Sequence, residues 1–217
     1  IISIFFLTRF LPSSIYFKEL LFSKFNLSVY HLIIICLLII LINTIILYVV
    51  FKKKYNKLQE AYFTDKLTGL KNQAALEEYL DSKITQLKKN DSTCSLILID
   101  IDNFKKINDD FGYNLADEGI KKIGGVLNND KRFTDEVFRY FQKGDEFLII
   151  LNDTSLDGAI KAAYRKKDLI SKINFELKGI SKQFTVSCGV TEFNKTDDNY
   201  KSVTERLNKA LFEAKKK

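Results

Sequence analysis

From Leu32 to Phe51 the chain reads LIIICLLIILINTIILYVVF, a run without a single charge. At a helical rise of ~1.5 Å per residue, about 20 such residues cross a hydrocarbon layer of ~30 Å. Only Asn43 and Thr44 are polar, whereas a soluble core helix of this length carries a polar stripe. The run is therefore expected to be a transmembrane helix. Lys52, Lys53 and Lys54 follow at once, and a basic cluster against a span marks its cytoplasmic side. The expected organisation is residues 1–31 as an extracytoplasmic or interfacial segment, 32–51 as the membrane helix, 52–63 as a linker helix and 64–217 as a cytoplasmic domain held at the inner membrane.

Residues 1–31 leave two readings open. IISIFFL can end an earlier span, or Phe17, Leu20, Leu21 and Phe25 can form an amphipathic interfacial segment. The chain contains no Met, so this segment reads as the remnant of a longer upstream region. After the span, Tyr55, Leu58 and Tyr62 recur at helical spacing. That pattern suits an ordinary connecting helix or a dimerising one.

Charge and cysteine usage exclude several classes. The net charge of +7 owes much to Lys52, Lys53, Lys54 and Lys57 beside the span, which points to topology and not to a nucleic-acid surface. Cys36, Cys94 and Cys188 lie far apart and the lone histidine is His31. Neither a zinc site nor a disulfide framework fits that spacing.

The remainder alternates helix and strand. A helix is expected over Asn72–Lys88, with Leu76, Tyr79, Leu80 and Ile84 on one stripe. SLILID over Ser95–Asp100 reads as a central strand ending in an acid. A helix over Asp117–Leu127 leads to strands Glu136–Phe141 and Phe147–Leu151 around a turn at Gln142–Asp145. A helix over Asp157–Ile173, a strand over Phe184–Phe193 and a helix over Val203–Lys217 follow. The order β-α-β-β-α-β, with flanking helices, predicts an α+β fold of the ferredoxin-like palm type. Two acidic groups, Asp100 with Asp102 and Asp145 with Glu146, then meet if their strands are neighbours. Clustered carboxylates call for a hard cation such as Mg²⁺, held together with substrate phosphates.

Five blocks in order carry a family resemblance: DKLTGLKNQ (Asp65–Gln73), DIDNFKKIND (Asp100–Asp109), GYNLAD (Gly112–Asp117), KGDEF (Lys143–Phe147) and ALFEAK (Ala210–Lys215). Over roughly residues 63–217 the chain resembles the GGDEF domain, the diguanylate cyclase family. The resemblance implies a βααββαβ nucleotidyl cyclase fold and condensation of two GTP into cyclic di-GMP with loss of two pyrophosphates. It implies Mg²⁺ or Mn²⁺ held by Asp100, the carbonyl of Ile101, Asp145 and Glu146, with Asp145 and Glu146 as the catalytic acids. GTP contacts fall to Phe104, Lys105, Asn108, Asp117 and Lys215. An amide and a carboxylate suit the donor and acceptor edge of guanine, and the lysines suit phosphate. Because one domain binds one GTP, a homodimer is implied. Arg132 and Asp135, in RFTD, resemble the inhibitory R-x-x-D motif for cyclic di-GMP feedback, with Arg165 as a distant partner.

The departures are local. Lys143 stands for the first signature glycine, Phe141 and Gln142 lengthen the approach to it, and Gln73, Tyr113 and Ala116 replace the usual Arg, His and Gly. The chain ends at Lys217, where the family usually continues to Gly-Arg and a further phosphate contact. A relative that binds GTP or cyclic di-GMP as a signalling module without turnover is the alternative reading.

Overall fold

The computed structural model describes residues 29–90, 92–140, 144–177 and 180–216. They form, in chain order, α1 (Val29–Phe63), α2 (Gln73–Lys89), β1 (Cys94–Ile101), α3 (Phe104–Phe111), α4 (Tyr113–Asn129), β2 (Glu136–Tyr140) and β3 (Glu146–Asn152). After these come α5 (Leu156–Ser171), β4 (Asn174–Leu177), β5 (Ile180–Gln183), β6 (Val186–Glu192) and α6 (Tyr200–Ala214). The chain divides into two compact units, Ile1–Leu58 and Gln59–Lys217.

In the first unit the apolar run is helical and its side chains are exposed from Ile33 to Phe51. It is the one helix among the described residues that is long and apolar enough to cross a membrane. Its two polar side chains turn back onto their own helix. Asn43 Nδ2 donates to the Ile39 carbonyl at 2.9 Å and Thr44 Oγ1 to the Leu41 carbonyl at 2.7 Å. This is how a polar group is satisfied where water is absent.

The second unit is built on a four-stranded sheet of order β2-β3-β1-β6 with every pairing antiparallel. All eight residues of the central strand β1 are buried. The reason is that helices cover both faces, so successive side chains both meet a core. Leu96 and Leu98, with Leu148 and Ile150 of β3, pack with Leu76 and Leu80 of α2 and Leu207 and Leu211 of α6. Ile97, Ile99 and Ile101, with Phe147 and Ile149, pack with Ile120 and Ile123 of α4 and Ala163 and Ile170 of α5. Each such aliphatic side chain contributes roughly 1.5–3 kcal/mol on burial. A slip of one residue would exchange the two cores, which fixes the register.

Two elements went unforeseen. FKKINDDF is too short for a clear helical period, and Gly112, at φ +82°, separates α3 from α4. Helix α4 begins at Tyr113, four residues before the expected start. The β4–β5 hairpin contains the polar strand ISKQ and is anchored by Phe175, which stacks on Phe184 at 4.2 Å.

Candidate active site

The β1–β3 register sets Asp100 opposite Glu146. Asp145 precedes β3 by one residue, directly after Gly144, whose φ of +81° turns the hairpin back into the sheet. The Asp145 carbonyl accepts from the Ile101 N–H at 3.3 Å. Three acids, Asp100, Asp145 and Glu146, are thereby buried at one end of the two central strands.

Among the described residues one lysine pairs with them. Lys215, just past α6, brings Nζ to 2.6 Å from Asp100 Oδ1. The approach is ionic and poorly aligned as a hydrogen bond, because Asp100 Oδ1 and Asp145 Oδ1 are both buried without a hydrogen-bond partner. Burial first, and then the Asp100 and Asp145 charges, push the Glu146 carboxyl up to about 7; a hydrogen bond with Asp100 acts the same way and Lys215 opposes it. Burial, followed by Asp100, also raises Asp145.

Helix α3 starts three residues beyond β1. Asn103 adopts the left-handed region at φ 55° and its side chain makes no capping bond, so the N–H groups of the first turn are left for water or a ligand. Phe104 is half-buried and Lys105 exposed on this turn. Asn108, one turn on, has a buried Oδ1 without a partner, and Asp117 is exposed on α4. Asp102 does not join the acidic cluster: its Oδ1 accepts from Ser187 Oγ of β6 at 2.7 Å.

Arg139 escaped the sequence reading. It is 5% exposed, its Nη1 has no hydrogen-bond partner, and its guanidinium lies 4.9 Å from the centre of the Phe147 ring. Burial lowers its pKa against the opposing charges of Asp65, Asp145 and Asp117. An arginine between Phe138 and Tyr140 in the strand EVFRY was the available signal.

In RFTD, Arg132 is exposed and Asp135 buried. The Arg132 N–H donates to Asp135 Oδ2 at 3.2 Å and the Asp135 N–H to the Arg132 carbonyl at 3.1 Å. Arg165 bonds Asp130, with Nη2 to Oδ2 at 3.1 Å. The altered hairpin positions Phe141, Gln142 and Lys143 lie outside the described residues.

Residues 62–217 match the family model described as diguanylate cyclase, GGDEF domain. The chain belongs to the GGDEF family. Among curated relatives of this GGDEF domain, the diguanylate cyclase DgcP of Pseudomonas aeruginosa is 37% identical over 153 residues, covering 70% of this chain and 22% of that protein. The response regulator PleD of Caulobacter vibrioides is 33% identical over 158 residues, covering 72% of this chain and 34% of that protein. The chain thus spans well under half the length of these relatives. Among solved structures, the GGDEF domain of DgcB from Caulobacter crescentus in complex with c-di-GMP superposes with a TM-score of 0.67 at 26% identity, covering 71% of this chain and 88% of that one. The diguanylate cyclase SiaD of Pseudomonas aeruginosa, in complex with its activator SiaC, gives 0.71 at 26% identity, covering 99% of this chain and 82% of that one.

Proposed function

We propose that the chain is a diguanylate cyclase anchored in the cytoplasmic membrane by α1, with its GGDEF domain in the cytoplasm, joining two GTP into cyclic di-GMP. The observation that carries the proposal is the buried trio Asp100, Asp145 and Glu146 facing Lys215.

The donor set fits Mg²⁺ or Mn²⁺. Among the described residues no three or more His, Cys, Asp or Glu side chains form a ready-made metal cage. Mg²⁺, however, is commonly held by one or two carboxylates with water and substrate phosphate supplying the rest. Asp100 Oδ1 and Asp145 Oδ1, buried and without hydrogen-bond partners, are oxygens of the required kind. Asp100, Asp145, Glu146 and the Ile101 carbonyl would hold the ion. When bound, it neutralises phosphate charge and favours ionisation of the attacking hydroxyl.

The chain's own groups do the rest. Glu146 is assigned to accept the proton of a ribose 3′-hydroxyl; without metal, burial and the Asp100 and Asp145 charges push its carboxyl up to about 7. The 3′-oxygen then attacks the α-phosphorus of the other GTP and pyrophosphate leaves. Lys215, Lys105 and the free N–H groups at the start of α3, near Phe104, offset charge on the β- and γ-phosphates. Asn108, with its open amide oxygen, and Asp117 read the guanine edge. Each domain holds one GTP, so two copies face one another for the double transfer. Arg132 and Asp135, joined by Arg165 once it leaves Asp130, would bind the product for feedback.

Incubating the full chain, in detergent micelles, with GTP and Mg²⁺ and separating the nucleotides tests this. Cyclic di-GMP is expected from the wild type and not from Asp145→Asn. A folded dimer that binds GTP and yields none would leave only the signalling-module reading.

A further inference from the structure

The turn joining β1 to α3 carries the N–H groups assigned above to phosphate, yet nothing in its own sequence holds it in place. Asn103 sits in the left-handed region and gives α3 no side-chain cap. Two bonds, one to β6 and one to the residue just before it, hold the turn instead. The Asp102 N–H donates to the Thr185 carbonyl at 2.9 Å, and Ser187 Oγ donates to Asp102 Oδ1 at 2.7 Å. Ser187 is buried and stands opposite Asp100 in the β1–β6 register. One serine thus lies beside the strand that delivers a catalytic acid and bonds the turn that opens α3.

We infer that Ser187 is a positioning residue for the triphosphate of GTP, acting through Asp102 to aim the first turn of α3. The bond is to a carboxylate and part-buried, and a charge-assisted bond screened from water on one side holds geometry more firmly than an exposed neutral one. Without it, Asp102 loses its side-chain tether while the backbone bond to Thr185 remains. The turn then stays folded but samples other orientations, and its N–H groups meet the phosphates less often. Binding should suffer more than the chemical step, because the carboxylates of β1 and β3 are held by the sheet itself.

The inference rests on the cyclase reading, and its test separates the two. The full chain in detergent micelles is assayed as wild type, Ser187→Ala, Ser187→Thr, Asp102→Ala and the double variant Ser187→Ala/Asp102→Ala. KM and kcat are measured with GTP and Mg²⁺, GTP binding by equilibrium titration, and folding by circular dichroism. Ser187→Ala and Asp102→Ala should each raise KM and the GTP dissociation constant roughly tenfold, the worth of a hydrogen bond to a charged group, with kcat within about twofold. The double variant should be no weaker than either single one, because both remove the same bond. Ser187→Thr keeps the hydroxyl at a position that lines a cleft of about 400 Å³ with Cys188, Tyr164 and Lys167; it should restore binding. Unchanged GTP binding in Ser187→Ala, losses that add in the double variant, or failure of Thr to rescue would each overturn the inference. A wild type that binds GTP but makes no cyclic di-GMP overturns the cyclase reading alone, and the binding arm still decides the role of Ser187.

Discussion

Replacing Glu146 by Gln should flatten a pH dependence that the wild type builds into its own folded state, and the site gives its size. The Glu146 carboxyl is buried beside Asp100 and Asp145, which moves its pKa from 4.5 to about 7. Below about 4.5 it is protonated in both folded and unfolded chains and carries no penalty. Between these values the folded chain keeps the proton that the unfolded chain releases, so raising the pH favours unfolding. Above about 7 both states are ionised and the full penalty is expressed. At ~1.36 kcal/mol per pKa unit this amounts to about 3 kcal/mol. The carboxyls of Asp130 and Asp197, lowered by Lys166 with Arg165 and by Arg206, act in the opposite direction but below the ordinary carboxylate range, so they leave this window clear. Urea unfolding followed by circular dichroism, from about pH 5 to about pH 8 with chelator present, should show the stability of the wild type falling relative to Glu146→Gln by most of that amount. Added Mg²⁺ should reduce the fall, since the cation takes the place of the proton. Parallel pH profiles for wild type and Glu146→Gln would refute the reasoning.

Gly189→Ala should destabilise the GGDEF domain by about 1–3 kcal/mol in thermal melts, because an added Cβ would lie 2.5 Å from the Leu211 nitrogen and 2.7 Å from the Leu207 carbonyl oxygen where α6 crosses β6. Lys166→Ala should cost about 3 kcal/mol by urea unfolding, because Lys166 is 1% exposed and holds Asp130 Oδ2 at 2.8 Å. Arg165→Ala removes an exposed bond to the same oxygen and should cost under about 1 kcal/mol. Lys215→Gln should weaken GTP binding and, in urea unfolding with chelator present, carry the loss of stability on raising the pH further upward, since Lys215 opposes the rise of the Glu146 pKa; GTP binding unchanged in the variant would refute its phosphate role.

The palm was legible because its strands are short, largely apolar runs with an acid at or near one end and its helices carry clear stripes. SLILID and EFLII needed no context to be read as strands. The sheet order was not fixed by the residues: the meeting of Asp100 and Glu146 stood as a condition on neighbouring strands, which the β1–β3 pairing meets. What stayed hidden depended on partners far away in sequence. Asp102 shares a D-x-D pattern with Asp100, and alternation alone assigns both to one purpose. The strand ends at Ile101, however, and the turn that follows gives Asp102 to Ser187, 85 positions away. Arg139 lies in a strand whose neighbours announce a core, and nothing local says that Asp65, Asp117 and Asp145 gather around its guanidinium. Arg165 could be matched to RFTD only by motif; its bond to Asp130 needed the packing of α5.

These hidden partners explain how such an acidic site exists in a folded chain. Three buried carboxylates repel one another in a medium that screens poorly. Among the described residues, the one lysine ion-paired to the trio, Lys215, is 40% exposed and pairs with Asp100, while Arg139 is buried among acids with Nη1 lacking a hydrogen-bond partner. Among the described residues, the balance of charge at the three acids is left short of positive charge. At low pH a proton on Glu146 makes up part of the deficit; near neutrality, where that proton is shared between carboxyl and water, a divalent ion with its nucleotide is the stronger claimant. On the proposed function, the same deficit that costs the folded state stability would draw in a metal-bound triphosphate, so a variant that relieves it, such as Glu146→Gln, should gain stability and lose affinity for the metal-bound nucleotide together.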